Sequence, residues 1–345
     1  MRPGPPTPSC GWPPRAHDPS GADGADDEGC GEGPGGHRPP TPVVPTSTRR
    51  TSPGDCHTQG VRAAEAHVTV RDRPEVRLFC ASFGPSAGIP LLVVHGGPDW
   101  DHTYLRRPLD RLGRPVHLPD LRGCGRSTRG LGPDGYSFAA AAEDLLLLAD
   151  RRGWDRFDLV GFSTGGQLAQ RILLSAPDRV RRTVVASSTL WPVTDADFGP
   201  WPEREAHRAA EARVWSGSGA TGAELVREAA VAGAPANVHR RERIPAYLEL
   251  LSGVRWSAQW SHVWRSGRLD SPRPENGPER LRLLGAPLLF LHGRADMIFP
   301  ASFAERAAAL LPGARAVVLE GAGHMAHVDR PQAWLSAVDA FLSAP

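Results

Sequence analysis

Lysine is absent from this chain of 345 residues: all 40 basic residues are arginines, and they stand against 38 acidic residues for a net charge of +2. The arginines are scattered and interleaved with acids, so the sequence offers no basic stripe that could follow a nucleic-acid backbone. The arginine bias, together with abundant alanine, glycine and proline, is typical of coding in a GC-rich genome. We therefore expect no nucleic-acid partner.

Cysteine is scarce, and long apolar runs are missing. Three of the five cysteines (Cys10, Cys30 and Cys56) lie among the first 60 residues, which leaves Cys80 and Cys124 in the rest of the chain. Two cysteines are too few for a disulfide framework, and their spacing is not that of a metal site, so we expect no metal and a reducing, cytoplasmic setting. No run of 18 apolar residues occurs, which predicts that no segment spans a membrane.

The first 60 residues differ in composition from the rest. They hold 13 prolines and 11 glycines, about 40% of the segment against about 17% of the remainder, and their only large apolar residues are Met1, Trp12, Val43 and Val44. Such a segment cannot bury enough surface to offset its chain entropy, which predicts a disordered arm over residues 1–63. No apolar stretch follows a basic start, so we do not expect a secretory signal.

From residue 64 onward, apolar runs alternate with helical patterns. The apolar runs predict strands at 67–71, 76–83, 90–97, 115–120, 156–162, 182–188, 287–293 and 314–320. The helical periods fall around 102–112, 137–152, 164–176 and 330–344. Strands that alternate with helices predict an α/β core, with a mostly parallel sheet covered on both faces, formed by residues 64–190 and 286–345.

The alternation breaks over residues 191–285, which predicts an inserted helical lid. This stretch is strand-poor and carries six of the ten tryptophans. Trp256, Trp260 and Trp264 recur every four residues, which predicts one stripe down a helix. Either the stripe is the core of the lid, or part of it roofs an apolar substrate pocket. On the second interpretation, Trp256 and Trp260 contact the substrate.

The sequence Gly-Phe-Ser-Thr-Gly at 161–165 follows an apolar strand and opens a helical pattern. This is the pattern of a nucleophile elbow, in which glycines allow the backbone to crowd a sharp strand-to-helix turn. Ser86 lies in a second match to the template, but a proline precedes it and no helix follows. We therefore predict that Ser163 is the nucleophile and that Phe162, beside it, lines the substrate site.

A serine hydroxyl needs a base that a carboxylate orients. Asp296 lies four residues beyond one late strand, and His324 lies four residues beyond the next. Both positions follow the carboxyl ends of strands, where open parallel sheets build their sites. Taken singly, Asp296 could be a helix N-cap and His324 an ordinary loop histidine. His327 is the nearby rival for the role of base.

An acyl-transfer site also needs N–H groups for the developing oxyanion. One comes from the residue after the nucleophile, here Thr164. The second is expected in the loop that follows the third strand, where the sequence is HGGPDW (95–100). We predict Gly97 as this donor because a glycine lets the backbone approach the charge, although the same residues also suit a plain strand-ending turn.

Over residues 64–345 the chain resembles the α/β-hydrolase superfamily, and its core is similar to proline iminopeptidase-like members. The resemblance rests on HGGP, DLRGCGRS (120–127), GFSTGG, GRADMIFP and GAGHMAH. It implies the α/β-hydrolase fold, a Ser163–His324–Asp296 triad, a helical cap and no cofactor. In that family DLRGCGRS is mainly a structural turn, which implies no catalytic role for Asp120 and Arg122.

The chain departs from true proline iminopeptidases, which usually carry Gly-Gly-Ser-Trp-Gly at the elbow, a glycine after HGGP and a Trp-Glu pair in the cap. The acid of that pair helps to hold the free amino end of the substrate. Here the corresponding residues are Phe162 and Thr164, Asp99, and Trp215 with Ser216. Other cap acids that could take this role are Glu203, Glu205 and Glu211.

We expect a serine hydrolase that acts on a small-molecule ester, lactone or amide with an apolar acyl part. One alternative is an aminopeptidase of the proline iminopeptidase type, which would need a desolvated carboxylate for the substrate ammonium. Another is a non-hydrolytic relative that uses the same pocket for binding. A scaffold recruited through the proline-rich arm is a third.

Overall fold

The computed structural model describes residues 64–344; the predicted arm over residues 1–63 lies outside the described residues. Eight strands form one sheet. They are β1 (Ala64–Asp72), β2 (Glu75–Phe83), β3 (Leu91–Val94), β4 (Val116–Pro119), β5 (Phe157–Phe162), β6 (Val180–Ala186), β7 (Leu288–Gly293) and β8 (Ala314–Leu319).

The strand order is β1-β2-β4-β3-β5-β6-β7-β8. β1 pairs antiparallel with β2 and β2 antiparallel with β4, whereas all other neighbours are parallel. The central strands β3, β5 and β7 are buried along their whole length, as expected for strands covered on both faces. The predicted α/β-hydrolase fold, with its mostly parallel sheet, is confirmed.

Twelve α-helices occur in the described residues. They are α1 (Arg106–Leu109), α2 (Phe138–Arg151), α3 (Thr164–Ser175), α4 (Pro202–Gly217), α5 (Gly222–Ala232), α6 (Ala234–Asn237), α7 (Ile244–Ser252), α8 (Gln259–Arg265), α9 (Gly277–Leu284), α10 (Ala301–Leu310), α11 (Ala326–Asp329) and α12 (Pro331–Ser343). Four short 3₁₀ helices span His102–Leu105, Pro133–Gly135, Asp195–Phe198 and Arg241–Arg243. No helix in this part of the chain is long and apolar enough to cross a bilayer.

Most of the hydrophobic core belongs to two clusters, one on each face of the sheet, and a small third cluster contains Val193, Ile298 and Phe299. Residues of α2, α3 and α10 pack into the first cluster, together with Leu92 of β3 and Leu159 of β5. Residues of α1 and α12 pack into the second, with Leu91 and Val160 of the same two strands. Adjacent strand residues thus face opposite layers, because side chains alternate along a strand.

The predicted helix over 102–112 is shorter and broken. A 3₁₀ helix at His102–Leu105 is followed directly by α1, and Arg107, the second residue of α1, has extended backbone (φ −95°, ψ 132°). Arg107 precedes Pro108, and a residue before proline is pushed away from the helical region. The proline therefore interrupts the helix that the apolar periodicity of this segment predicts.

Between β6 and β7 the described chain contains helices α4 to α9 and no strand. The tryptophan stripe predicted there needs correction, because Trp256 lies ahead of the start of α8 and does not share a helix with Trp260. Trp260 is fully buried in the first core cluster, and its indole N–H donates to the carbonyl of Arg122 at 2.7 Å. Trp256 packs edge-on against Trp100 at 4.9 Å between ring centroids.

Along the chain, the sheet is extended first to one side of β3, by β4, and then to its other side, by β5. β3 has β4 on one side and β5 on the other, with Val94 paired to Gly161. The loops that leave the carboxyl ends of these two strands therefore begin side by side. In open α/β sheets such a change of side is the point where ligands bind.

Candidate active site

Ser163 occupies the sharp turn between β5 and α3. Its backbone has φ +54° and ψ −124°, a conformation that a residue with a side chain rarely adopts and that costs about 1–3 kcal/mol. The flanking glycines are needed for close approach: a Cβ on Gly161 would stand 2.3 Å from the carbonyl oxygen of Gly165, and one on Gly165 2.2 Å from that of Val94. Strain of this kind marks a residue that the surrounding fold holds in place.

Asp296 and His324 are hydrogen-bonded to each other. Nδ1 of His324 lies 2.9 Å from Oδ2 of Asp296. The other carboxylate oxygen, Oδ1, accepts the backbone N–H groups of Ile298 at 2.7 Å and Phe299 at 3.0 Å. Burial alone would raise the pKa of Asp296, but the charge of His324 and the hydrogen bonds from His292 and His324 outweigh burial and hold that pKa below its usual range. Asp296 is therefore a carboxylate at neutral pH.

The His324 ring packs against two aromatic side chains. Its centroid is 5.3 Å from that of Phe162 and 5.7 Å from that of Phe299. His324 is 4% exposed and Ser163 is 7% exposed, and both line the same cavity. The structure thus brings together the three side chains that the sequence singled out at the ends of β5, β7 and β8.

His327 does not contact Asp296. It lies on α11 with Nε2 3.3 Å from the carbonyl oxygen of Tyr104, and its ring packs against Phe162 and Trp334. Burial lowers the pKa of His327 to about 3. The rival histidine is a neutral core residue at physiological pH.

The loop after β3 runs along the cavity beside Ser163. A Cβ on Gly96 would stand 2.6 Å from Cβ of Ser163, so only glycine fits there. The N–H of Gly96 donates to the Tyr104 hydroxyl at 2.9 Å. Gly97 follows in the left-handed region (φ +51°) and lines the cavity together with Thr164, the first residue of α3.

The cavity above Ser163 is lined mainly by apolar and aromatic side chains. These are Pro98, Trp100, Tyr104, Phe162, Val226, Ala229, Ala230, Ile298 and Met325. Phe162 is thus one of the residues that line the cavity, and its contact with a substrate stays a prediction. Trp256 and Trp260 do not line this cavity; Trp256 reaches it only indirectly, through its contact with Trp100.

Helix α4 contributes the charged part of the cavity wall. Arg208, Glu211 and Trp215 all line it, at positions i, i+3 and i+7 of one helix face. Nη1 of Arg208 contacts Oε2 of Glu211, and the indole N–H of Trp215 points to Oε1 at 3.5 Å. Burial raises the pKa of Glu211 and outweighs the charge of Arg208.

The other two cap acids considered from the sequence, Glu203 and Glu205, are exposed on α4, and neither lines the cavity. Glu203 pairs with Arg241 at 2.7 Å instead. Only Glu211 of the three faces the cavity that Ser163 lines.

The family model for the alpha/beta hydrolase fold matches residues 89–331. The chain belongs to the α/β-hydrolase family. A proline iminopeptidase of Heyndrickxia coagulans is 26% identical over 270 residues, which cover 74% of this chain and 91% of that protein.

Solved structures of this family superpose on the chain. A proline iminopeptidase-related protein of Thermus thermophilus has a TM-score of 0.62 and 25% identity, over 82% of this chain and 98% of that one. An esterase of Thermogutta terrifontis has a TM-score of 0.60 and 24% identity, over 81% and 98%. The proline iminopeptidase relatives are hydrolases, which supports an α/β-hydrolase enzyme.

Among the residues that contact the site of this α/β-hydrolase and were missed from the sequence are His292 and Arg208. His292 of β7 has Nε2 3.1 Å from Oδ2 of Asp296 and is fully buried. A histidine that interrupts an apolar strand four residues before the acid was the available signal. Arg208 was also missed, although its i, i+3 spacing to Glu211 was visible.

Asp99, which replaces the usual glycine after HGGP, is fully buried and joins this loop to α8. Its carboxylate accepts the N–H groups of Trp260 at 3.0 Å and Ser261 at 2.8 Å, and also the hydroxyl of Ser261. Burial raises the pKa of Asp99 despite these donors. The aspartate thus caps the start of α8 from the loop that lines the cavity.

The segment DLRGCGRS forms an internal polar cluster. Asp120 contacts Nδ1 of His102 at 2.6 Å through Oδ1 and accepts the N–H of Arg126 at 2.8 Å through Oδ2. Asp101, which lies within 4.8 Å of these groups, accepts backbone N–H groups through both oxygens. Each carboxylate oxygen of Asp101 and Asp120 thus has a hydrogen-bond donor within the protein.

Proposed function

We propose that this α/β-hydrolase is a serine hydrolase that cleaves an ester, lactone or amide with an apolar acyl part through an acyl-enzyme. One observation carries the proposal: a buried Asp296–His324 hydrogen bond of 2.9 Å opens onto the cavity in which a strained Ser163 is held. A serine, a histidine and a carboxylate in this relationship are the parts that acyl transfer needs.

The arrangement supports the following sequence of steps. Asp296 keeps the proton of His324 on Nδ1, so Nε2 is the basic nitrogen. The Ser163 hydroxyl attacks the substrate carbonyl while His324 takes its proton, and the carbonyl oxygen becomes an oxyanion. The C–O or C–N bond then breaks as His324 returns the proton to the leaving group. Water, activated in the same way, releases the acyl group from Ser163.

The N–H groups of Thr164 and Gly97 are proposed to hold the oxyanion. Thr164 begins α3, so the helix dipole adds to its N–H. The N–H of Gly96 is already donated to Tyr104, and the next N–H along the cavity loop is that of Gly97. Two such donors bind the oxyanion more strongly than the uncharged carbonyl of the substrate, so they lower the barrier.

The lining of the cavity favours an uncharged, apolar acyl part over a free ammonium. Glu211 is the carboxylate that faces the cavity, and Arg208 and Trp215 already point at its two oxygens. An ammonium bound there would have to displace Arg208 or lie beside a guanidinium, which is costly in a desolvated site. The proline iminopeptidase type is the second candidate, because relatives of that name match most of the chain.

A fluorophosphonate probe tests the proposal and separates it from a non-hydrolytic relative. The wild-type protein should be labelled on a single peptide that contains Ser163. The Ser163→Ala variant should remain unlabelled and lose kcat by a factor on the order of 10⁶. Ser86→Ala is the matched control: this exposed loop serine fits the same Gly-x-Ser-x-Gly template, so labelling should persist. If Ser163→Ala kept a tenth of the activity, the assignment of Ser163 would be wrong.

A further inference from the structure

Asp296 receives hydrogen bonds on both oxygens, but the two oxygens are held differently. Oδ1 is fixed by two backbone N–H groups of its own loop. Oδ2 lies between two imidazoles, 2.9 Å from Nδ1 of His324 and 3.1 Å from Nε2 of His292. The oxygen that orients His324 is therefore shared with a second histidine.

The contacts of His292 determine which of its nitrogens carries the proton. Nε2 also lies 2.9 Å from the carbonyl oxygen of Phe299, so both neighbours of this nitrogen are acceptors. Nδ1 is buried and has no hydrogen-bond partner among the described residues. The neutral ring with its proton on Nε2 fits these surroundings, since that N–H can be shared by Oδ2 and the carbonyl.

A histidine at this position carries a cost. Its remaining nitrogen is an unsatisfied acceptor in a fully buried strand whose other side chains are apolar. An orphaned buried polar atom calls for a compensating role. The role visible here is donation to Asp296 and to the loop whose Phe299 ring packs against His324.

We propose that His292 is a positioning residue for the Asp296–His324 pair, holding Oδ2 of Asp296 and moderating how strongly that oxygen attracts the Nδ1 proton of His324. The proposal rests on the proposed function, in which His324 is the base. A donor on Oδ2 stabilises the carboxylate whether or not His324 is protonated. Without it, Asp296 would stabilise the imidazolium more strongly and raise the pKa of His324.

The variants His292→Leu and His292→Gln separate positioning from packing. Leucine fills the strand position and removes the donor, whereas the glutamine amide places an N–H close to the position of Nε2. We expect His292→Leu to lower kcat about tenfold with little change in KM, since one charge-assisted hydrogen bond is lost. The acid limb of the kcat/KM profile should move up by about half a pH unit or more. The variant His292→Gln should have a kcat and an acid limb close to those of the wild-type protein.

A second measurement does not depend on activity. In the Ser163→Ala background, the titration of His324 is followed by NMR in protein labelled at histidine. The other titratable groups close to His324 are Asp296, Glu211 of α4 and His327 of α11, and none of them is changed. We expect the titration midpoint of His324 to be higher with leucine at position 292 and near the parent value with glutamine.

The proposal is overturned if His292→Leu keeps kcat per active site and the His324 midpoint, or if His292→Gln is as impaired as His292→Leu. A role in packing alone would lower the melting temperature without moving either pH profile. Should His292→Leu fail to fold, His292→Asn replaces it, because its shorter amide cannot reach Oδ2. If the wild-type protein ignored the fluorophosphonate probe, the proposed function would fail, while the NMR titration would still decide the role of His292.

Discussion

The guanidinium of Arg208 contacts the carboxylate of Glu211 one turn further along α4, and both side chains line the cavity beside Ser163. The pair places opposite charges in a wall whose other residues are apolar or uncharged polar side chains and His324, so the carboxylate of Glu211 already has a cation beside it. This relationship bears directly on which compounds the cavity accepts.

A matched pair of substrates tests that consequence. We expect kcat/KM for medium-chain acyl esters to exceed that for prolyl anilides by about tenfold or more, equivalent to about 1.4 kcal/mol. Because activated esters are intrinsically easier to cleave, the control is a prolyl ester compared with its N-acetylated analogue. The acetylated compound should react at least as well. Preference for the free amine would favour the proline iminopeptidase alternative.

Replacing Arg208 with methionine should change this preference. Arg208→Met keeps most of the apolar stem and leaves Glu211 without its cation, so a substrate ammonium can take the vacated place. We expect the ratio of kcat/KM for the free prolyl ester to that for its acetylated analogue to rise about tenfold. The double variant Arg208→Met/Glu211→Gln should lose this gain. A ratio that stays at the wild-type value in Arg208→Met would show that the ion pair does not control selectivity.

The roles of Asp296 and the two histidines can be separated by substitution. Asp296→Asn should lower kcat by about 10⁴, because the imidazole loses its orienting carboxylate. His324→Ala should be nearly as damaging as Ser163→Ala. His327→Ala is the control: it should lower the melting temperature, since it leaves a cavity beside Phe162 and Trp334, but kcat per active site should stay within about tenfold. The opposite order for the two histidines would move the base to His327.

Stability should depend on pH through buried histidines. Burial lowers the pKa of His327 to about 3, whereas an unfolded histidine titrates near pH 6.5. Between those values the unfolded chain binds a proton that the folded chain does not, so the free energy of unfolding falls as the pH falls. The slope is roughly 1.4 kcal/mol per pH unit for one such group.

Chemical denaturation at several pH values between 4 and 7 measures this slope. His117, whose pKa burial lowers to about 4, adds in the same direction. The variant His327→Gln should reduce the slope of the free energy of unfolding against pH by the contribution of one proton. The variant His117→Gln provides the comparison at a second site. An unchanged slope in both variants would mean that other groups bind the protons.

Much of the fold was predictable because the relevant signals are local. Buried parallel strands leave uninterrupted apolar runs, and the residues that follow them, such as Ser163, Asp296 and His324, gather at one edge of the sheet through topology alone. The spacing of Gly161 and Gly165 likewise indicates that β5 and α3 approach each other closely.

The helical segment between β6 and β7 was less predictable because distant contacts set its details. Asp99 caps the start of α8 from a loop about 160 residues earlier in the chain, and this leaves Trp256 outside the helix that its four-residue spacing suggested. The contact between His292 and Asp296 depends on how the loop after β7 folds back, which no periodicity encodes. The sequence shows which residues are polar in such places but not which of them meet.

The hydrogen bonds of Asp99 limit how this enzyme can be rebuilt. A chimera that replaces residues 191–285 with the corresponding segment of a relative would remove the N–H groups of Trp260 and Ser261, which this buried carboxylate accepts. Unless the new segment supplies a helix start at the same point, the charge is left unpaired, at a cost of about 1–3 kcal/mol or more. A graft without such a helix start would therefore have to change Asp99 to glycine at the same time.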